Sequence, residues 1–211
     1  MTKKKMTAEE FKALLDANSE MVEKIKYTAH LIHDSVNQNY DDKPYSFHLD
    51  AVVDILIPYI PEVCPDEGDV VPLIFGAFFH DTIEDARMTY NDVMKEAKKM
   101  FDNDKALLAT EIVFALTNDK GRTRAERAGE KYYEGIRQTP YAPLVKACDR
   151  LANVSYSVAQ EDDRRNSAMK VVYRREMPHF LESIISPLAA TDPRFSVPKG
   201  LIRSLMDIVE E

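Results

Sequence analysis

The segment His80-Asp81-Thr82-Ile83-Glu84-Asp85 puts one imidazole and three carboxylates within six residues. It follows the apolar run Val70-Val71-Pro72-Leu73-Ile74-Phe75-Gly76-Ala77-Phe78-Phe79. A greasy segment thus delivers these groups to a single spot. Unpaired carboxylates are costly to bury, so acids at the end of a buried segment usually serve a cation or a cleft. A divalent ion is the first chemistry to expect of them.

On a helix, residues four apart share a face. That relation pairs His80 with Glu84, and Asp81 with Asp85. Two further ligand candidates lie far away in the chain. Of the five histidines, His48 follows the Lys43-Pro44-Tyr45 turn at the start of an amphipathic stretch, where a side chain can aim inward. Asp149 stands inside Lys146-Ala147-Cys148-Asp149-Arg150-Leu151-Ala152-Asn153, with Asn153 one turn later on the same face. Two imidazoles and two carboxylates suit manganese or iron better than a closed zinc site. Such a set leaves octahedral positions for water and a substrate oxygen. Each residue alone also has a plain reading: His48 as packing, Asp149 as an ion pair with Lys146 or Arg150, and His80-Asp81 as a solvated helix end.

Helices have to position these side chains, and the 3.6-residue period dominates the chain. Thr7 with Glu10 reads as a capping box before Phe11, Leu14 and Leu15. Ser19 to about Gln38 reads as a helix with Val22, Ile25, Ala29 and Ile32 inward, and Asn37 to Pro44 as a loop. Phe47 to Ile57 is the next helix, and Pro58, Pro61 and Pro65 punctuate the connection after it. Pro72 sits where a first helical turn tolerates proline, and that helix carries the acidic motif at its far end. Thr89 or Asn91 caps a helix to about Phe101. Others are expected over 104–116, 124–137, 141–160, 164–185 and 199–209. The 186–198 stretch, with Pro187, Pro193 and Pro198, reads as loosely held. No segment alternates as a half-buried strand does, so the expected class is all-α.

The order His48, His80-Asp81, Asp149 resembles the HD superfamily of metal-dependent phosphohydrolases. Within it, three segments are similar to motifs of the RelA/SpoT-type (p)ppGpp hydrolase domain: Pro44-Tyr45-Ser46-Phe47-His48, Phe79 to Ala86, and Lys146 to Asn153. The resemblance spans roughly residues 25 to 185 and implies an HD-domain helical bundle. It implies that His48, His80, Asp81 and Asp149 hold one divalent ion, manganese in the family. It implies that Glu84 and Asp85 position and deprotonate the attacking water, and that Asn153 and Lys146 contact substrate. The implied reaction is hydrolysis of the 3'-pyrophosphate of guanosine tetra- or pentaphosphate. One departure stands out. The family carries an Arg-Lys pair about ten residues before the first histidine, with the Arg stacked on guanine. Here no Arg or Lys occurs between Lys26 and Lys43. Lys43 or Tyr40 is left to take part of that role, and Arg and Lys are not equivalent in it.

Composition bounds the alternatives. A net charge of -8 and a pI near 5.2 argue against non-specific nucleic-acid binding, which needs a basic face. A phosphate-bearing small molecule stays compatible, because a bound cation reverses the local field. Cys64 and Cys148 lack CxxC spacing, and the longest apolar run is about half a membrane span, so a cytoplasmic protein with no membrane partner is expected. The expected organisation is a helical extension over 1–24, the HD domain over 25–190 and a helical tail over 191–211 packed on the same domain. No synthetase-like segment follows, which fits a stand-alone hydrolase. The rival functions are hydrolysis of another nucleotide and a nucleotide-binding module without turnover. The basic cluster Lys120-Gly121-Arg122-Thr123-Arg124 is a candidate guide for polyphosphate or a plain solvated loop. Tyr132, Tyr133 and Tyr173 read as packing, His30 and His33 as packing or support for the site, and His179 as uninvolved.

Overall fold

The computed structural model describes residues 5–118, 123–160 and 164–208, the side chains of 124 and 125 excepted. Of the basic cluster, Lys120, Gly121 and Arg122 therefore lie outside the described residues. Helices α1 (Ala8–Ala17) and α2 (Ser19–Ser35) lead into a hairpin of β1 (Asn39–Tyr40) and β2 (Lys43–Pro44). Then come α3 (Ser46–Leu56), the single turn α4 (Ile60–Val63), α5 (Val70–Phe79), α6 (Tyr90–Lys98) and α7 (Asn103–Leu116). The second half holds α8 (Arg124–Arg127), α9 (Glu130–Gln138), α10 (Ala142–Ala159), α11 (Arg164–Ile184) and α12 (Lys199–Ile208). The class is all-α, with the two-residue antiparallel pair as the sheet among the described residues. No described helix is long and apolar enough to cross a membrane.

Local sequence accounts for the helix starts. Thr7 and Glu10 form the expected capping box, and Thr89 with Asp92 forms another, each satisfying backbone N–H groups that the first turn leaves open. Asp102 caps α7 by accepting from the Lys105 backbone N–H. Burial then assembles the bundle. Every residue of α5 is buried, and it packs against α2, α3 and α7. Gly76 permits the α5–α7 approach, because a Cβ there would lie 2.6 Å from Cγ2 of Ile112. Helix α10 packs against α3, α11 and α12, so two central helices, α5 and α10, share α3 as a neighbour.

Three differences from the periodic pattern have local causes. First, α5 ends at Phe79, and residues 80–85 form turns rather than more helix. The Thr82 hydroxyl and backbone N–H both donate to the Phe79 carbonyl, at 2.7 and 2.9 Å, and Arg87 then takes a left-handed φ of 60°. The Asp85 N–H still reaches the Asp81 carbonyl at 2.8 Å, so this pair keeps its shared face without a continuing helix. Second, the expected loop before His48 contains the hairpin. Asn37 and Asp41 adopt positive φ, and Asp41 accepts from Arg165 Nη1 at 2.8 Å and Asn166 Nδ2 at 3.3 Å. The start of α11 therefore fixes the hairpin tip. Third, the proline-rich 186–198 stretch is anchored. It forms short 3-10 turns at Pro187–Ala190 and Pro193–Phe195, and Ser186, Phe195 and Val197 are buried.

The same stretch clamps the start of α10. Tyr141 has a left-handed φ of 66°, uncommon for an aromatic residue. Its N–H donates to the Arg194 carbonyl at 2.6 Å, and its buried hydroxyl donates to Asp69 Oδ2 at 2.7 Å. Lys105 also pairs with Asp69. Leu201 and Leu205 of α12 are buried, and residue 24 falls inside α2.

Candidate metal centre

Three elements bring the sequence candidates together. His48 comes from the first turn of α3, directly after the hairpin. His80 caps the C-terminal end of α5, and Asp81 opens the turn that follows. Asp149 comes from the middle of α10. His48, His80 and Asp81 each place one donor atom within 4.8 Å of the other two. Asp149 lies beside that trio, its Oδ1 3.3 Å from His48 Nε2 and 3.8 Å from His80 Nε2. Asp81 Oδ2 is 3.0 Å from His80 Nε2 and 3.6 Å from His48 Nε2. The two Nε2 atoms are 3.3 Å apart.

This donor set fits a divalent cation. The two imidazoles are nearly sealed, each 2% exposed. His80 Nδ1 sits 2.7 Å from the Ala77 carbonyl, which can only accept, so Nδ1 carries the proton. That tautomer leaves the Nε2 lone pair facing the cluster, the arrangement found behind metal-bound histidines. Asp149 is braced as well. Lys146 Nζ donates to its Oδ2 at 2.8 Å and Asn153 Nδ2 to its Oδ1 at 2.6 Å.

The charges are tightly coupled. Burial alone would lower His48, but hydrogen bonds to Asp149 and Asp81 outweigh it and push the imidazole up to about 9. Burial also opposes charge on His80, and the Asp81 carboxylate reverses that, leaving it raised. Burial would raise Asp149, yet the Lys146 ammonium and the two histidines hold it well below the usual carboxylate range. Asp81 is likewise held low against burial, chiefly by His80. Protons thus occupy positions that a cation would take.

Tyr45 ties the cluster to Asp85. Its hydroxyl lies 2.6 Å from Asp81 Oδ2 and 2.7 Å from Asp85 Oδ2. A phenol has one proton, so it donates to one carboxylate at a time, and the second contact needs a proton of its own. Burial and the Asp81 charge push Asp85 up to about 6, whereas Asp81 stays ionised. Of the two carboxylates, Asp85 is therefore the one that takes up a proton first, as pH falls to about 6. Behind Tyr45, the His33 ring stacks at 4.5 Å between centroids, with an interplanar angle of 9°. Both His33 nitrogens are buried with no hydrogen-bond partner, and burial lowers the ring to about 4. It packs as a neutral plate and adds no positive charge. His30 instead meets Asp50, 2.9 Å from its Nε2.

The remaining candidates divide. Glu84 is exposed, and its carboxylate accepts from Asn118 Nδ2 at 2.9 Å. Asn153 spends its amide on Asp149 and accepts from the Tyr40 hydroxyl at 2.8 Å. Tyr40 stacks on His48, with centroids 4.8 Å apart, and so covers a ligand. The Lys43 ammonium lies 5.2 Å from the centroid of the Phe47 ring.

A cavity of about 560 Å³ opens from this cluster. Tyr45, His48, Asp81, Glu84, Asp85 and Asp149 form the near wall. Lys146 and Asn153 line it, but Tyr40 and Lys43 are not among its described lining residues. The far wall adds residues that sequence alone does not assign to the site: Tyr132, Tyr133, Arg150, Tyr173 and His179. The three tyrosines are buried, as packing requires, and still face the cavity. Asn118 has no sequence signal beyond its place at the end of α7. Arg150 is visible in the sequence as part of the Lys146-to-Asn153 motif and as a rival partner for Asp149, a role that Lys146 takes. Compared with known proteins, the chain matches no family model and no curated protein.

Proposed function

We propose that this chain is a divalent-metal-dependent phosphohydrolase of the HD type, with the 3'-pyrophosphate of guanosine tetra- or pentaphosphate as its leading substrate and manganese as its ion. The observation carrying this reading is the convergence of His48, His80, Asp81 and Asp149, remote in sequence, at one wall of a substrate-sized cavity. A cavity of this volume falls within the usual range for small-molecule sites. Bound there, the ion supplies Lewis acidity and offsets charge on the phosphoryl oxygens.

The protein's own groups supply the rest. His80 is locked by the Ala77 carbonyl and Asp149 by Lys146 and Asn153, so the donors are aimed before substrate arrives. Glu84 is held at the cavity wall by Asn118, where its carboxylate can accept a proton from the attacking water. Asp85 lies within hydrogen-bond distance of the Tyr45 hydroxyl and, raised to about 6 by burial and the Asp81 charge, is mostly ionised at neutral pH, so it can accept a proton beside Glu84. Tyr40, stacked on His48 where the resembling family carries Arg-Lys, supports a second reading in which the base is not guanine.

The test is a substrate panel with manganese: ppGpp, pppGpp, ATP, dGTP and simple nucleoside monophosphates, with pyrophosphate and orthophosphate followed separately. Pyrophosphate release from ppGpp is the expected result. Orthophosphate from a monophosphate identifies a different nucleotide substrate. Tight binding without turnover of any member would replace hydrolysis with sensing.

A further inference from the structure

The hairpin before α3 sets one side chain against two members of the ion-binding cluster that belong to different helices. The Tyr40 ring lies flat on the His48 imidazole, with centroids 4.8 Å apart and an interplanar angle of 10°. Its hydroxyl donates to Asn153 Oδ1 at 2.8 Å. Asn153 Nδ2 donates in turn to Asp149 Oδ1 at 2.6 Å and to the Asp149 carbonyl at 3.0 Å. Asp149 Oδ1 is the oxygen that faces the two Nε2 atoms, while Oδ2 turns to Lys146. The chain of bonds from Tyr40 therefore ends on the oxygen aimed at the cluster.

Donor and acceptor chemistry fixes the direction of this chain. A ligating carboxylate only accepts, so the Asn153 amide must present Nδ2 to Asp149. Its Oδ1 then faces Tyr40, and the phenol must donate. Turning the amide over would bring two acceptor oxygens together, and the Tyr40 proton works against that flip. The family resemblance gives Asn153 to substrate, whereas both ends of its amide have partners inside this protein.

Tyr40 is itself held from several sides. Tyr156 meets its ring edge-on at 4.8 Å between centroids, and Tyr45 does so at 6.1 Å. The next residue, Asp41, accepts from Arg165 and Asn166 at the start of α11.

We infer that Tyr40 is a positioning residue of the metal centre, setting the His48 ring by stacking and the Asp149 carboxylate through Asn153. The inference rests on the metal-binding part of the proposed function and does not depend on which substrate is hydrolysed.

The test reads metal binding rather than turnover. Calorimetry with manganese at pH 8.5 compares the full chain with Tyr40→Phe, Asn153→Ala and the double variant, and metal-free melting curves check that each folds. Removing a support behind a ligand costs about 10- to 100-fold in metal affinity. Tyr40→Phe keeps the stacked ring and loses only the hydroxyl, so about tenfold is expected, with Asn153→Ala losing at least as much. Because the hydroxyl acts through Asn153, the double variant is expected to bind no more weakly than Asn153→Ala alone. Tyr40→Leu, which also removes the ring, is expected to lose more than Tyr40→Phe. The visible absorption of the cobalt-loaded chain reports ligand geometry, and Tyr40→Phe is expected to shift it. Unchanged affinity and an unshifted cobalt spectrum in well-folded Tyr40→Phe overturn the inference, and so do losses that multiply in the double variant. The expected pattern in a protein that hydrolyses nothing upholds the role of Tyr40 and removes the catalytic reading instead. No metal uptake by the unaltered chain removes the metal centre and this inference with it.

Discussion

Protons and metal should compete for His48, and the competition has a calculable size. The ordinary histidine value is 6.5, and the two carboxylates push His48 up to about 9. The metal needs the neutral ring, so binding must expel a proton at any pH below 9. Each pH unit below that value weakens affinity about tenfold, or about 1.4 kcal/mol. From pH 6.5 to 8.5 the apparent dissociation constant for manganese should therefore fall about 100-fold from His48 alone. His80 is raised as well, so the dependence should be at least that steep. Stability of the metal-free protein runs the opposite way. A raised folded pKa contributes stability that is fully present below 6.5 and lost as pH rises through about 9, and for His48 this amounts to about 3 kcal/mol. Calorimetric titrations at pH 6.5, 7.5 and 8.5, repeated in two buffers of different ionisation heat, read both the affinity and the protons released. A flat affinity over this range, or no proton release at pH 7, would refute the coupling.

Three further outcomes are expected. Tyr45→Phe removes the hydroxyl shared by Asp81 and Asp85 and should weaken metal affinity about tenfold or more, as loss of a supporting hydrogen bond does; unchanged affinity would show that the bridge is incidental. Asp81→Ala should abolish metal uptake, while Glu84→Gln should keep the metal and lose about 100-fold or more in rate; full turnover in Glu84→Gln would remove its role as proton acceptor. Gly76→Ala forces a Cβ to 2.6 Å from Ile112 and should destabilise by about 1–3 kcal/mol, lowering the melting temperature several degrees; an unchanged melting curve would mean that α7 shifts freely.

Sequence periodicity made most helices legible, because α2, α3, α7, α10 and α11 each have an apolar face at helical spacing. It extended α5 past Phe79, since the stop is made by Thr82 turning back on the Phe79 carbonyl, with no glycine to mark it. A two-residue hairpin is too short to carry any period. Prolines marked 186–198 as irregular, but irregular backbone was not loose backbone once Ser186, Phe195 and Val197 were buried. In the site, the His48, His80-Asp81 and Asp149 positions could be picked out by residue type. Partner choice could not. Lys146 and Arg150 both neighbour Asp149 in the chain, and only tertiary packing sends Arg150 towards Glu176 and the aromatic rings. Tyr45 likewise gained its role from carboxylates 36 and 40 residues away.

Tyr141 joins two remote parts of the molecule. The helix that aims Lys146, Asp149 and Asn153 begins on a contorted tyrosine, and a carbonyl from the tail holds that tyrosine in place. The last twenty or so residues thus bear on the helix that carries Asp149 in two ways, through this carbonyl and through α12, which packs against α10. An insertion between Ser186 and Val197 would be transmitted along α10 as a change in where its acid points.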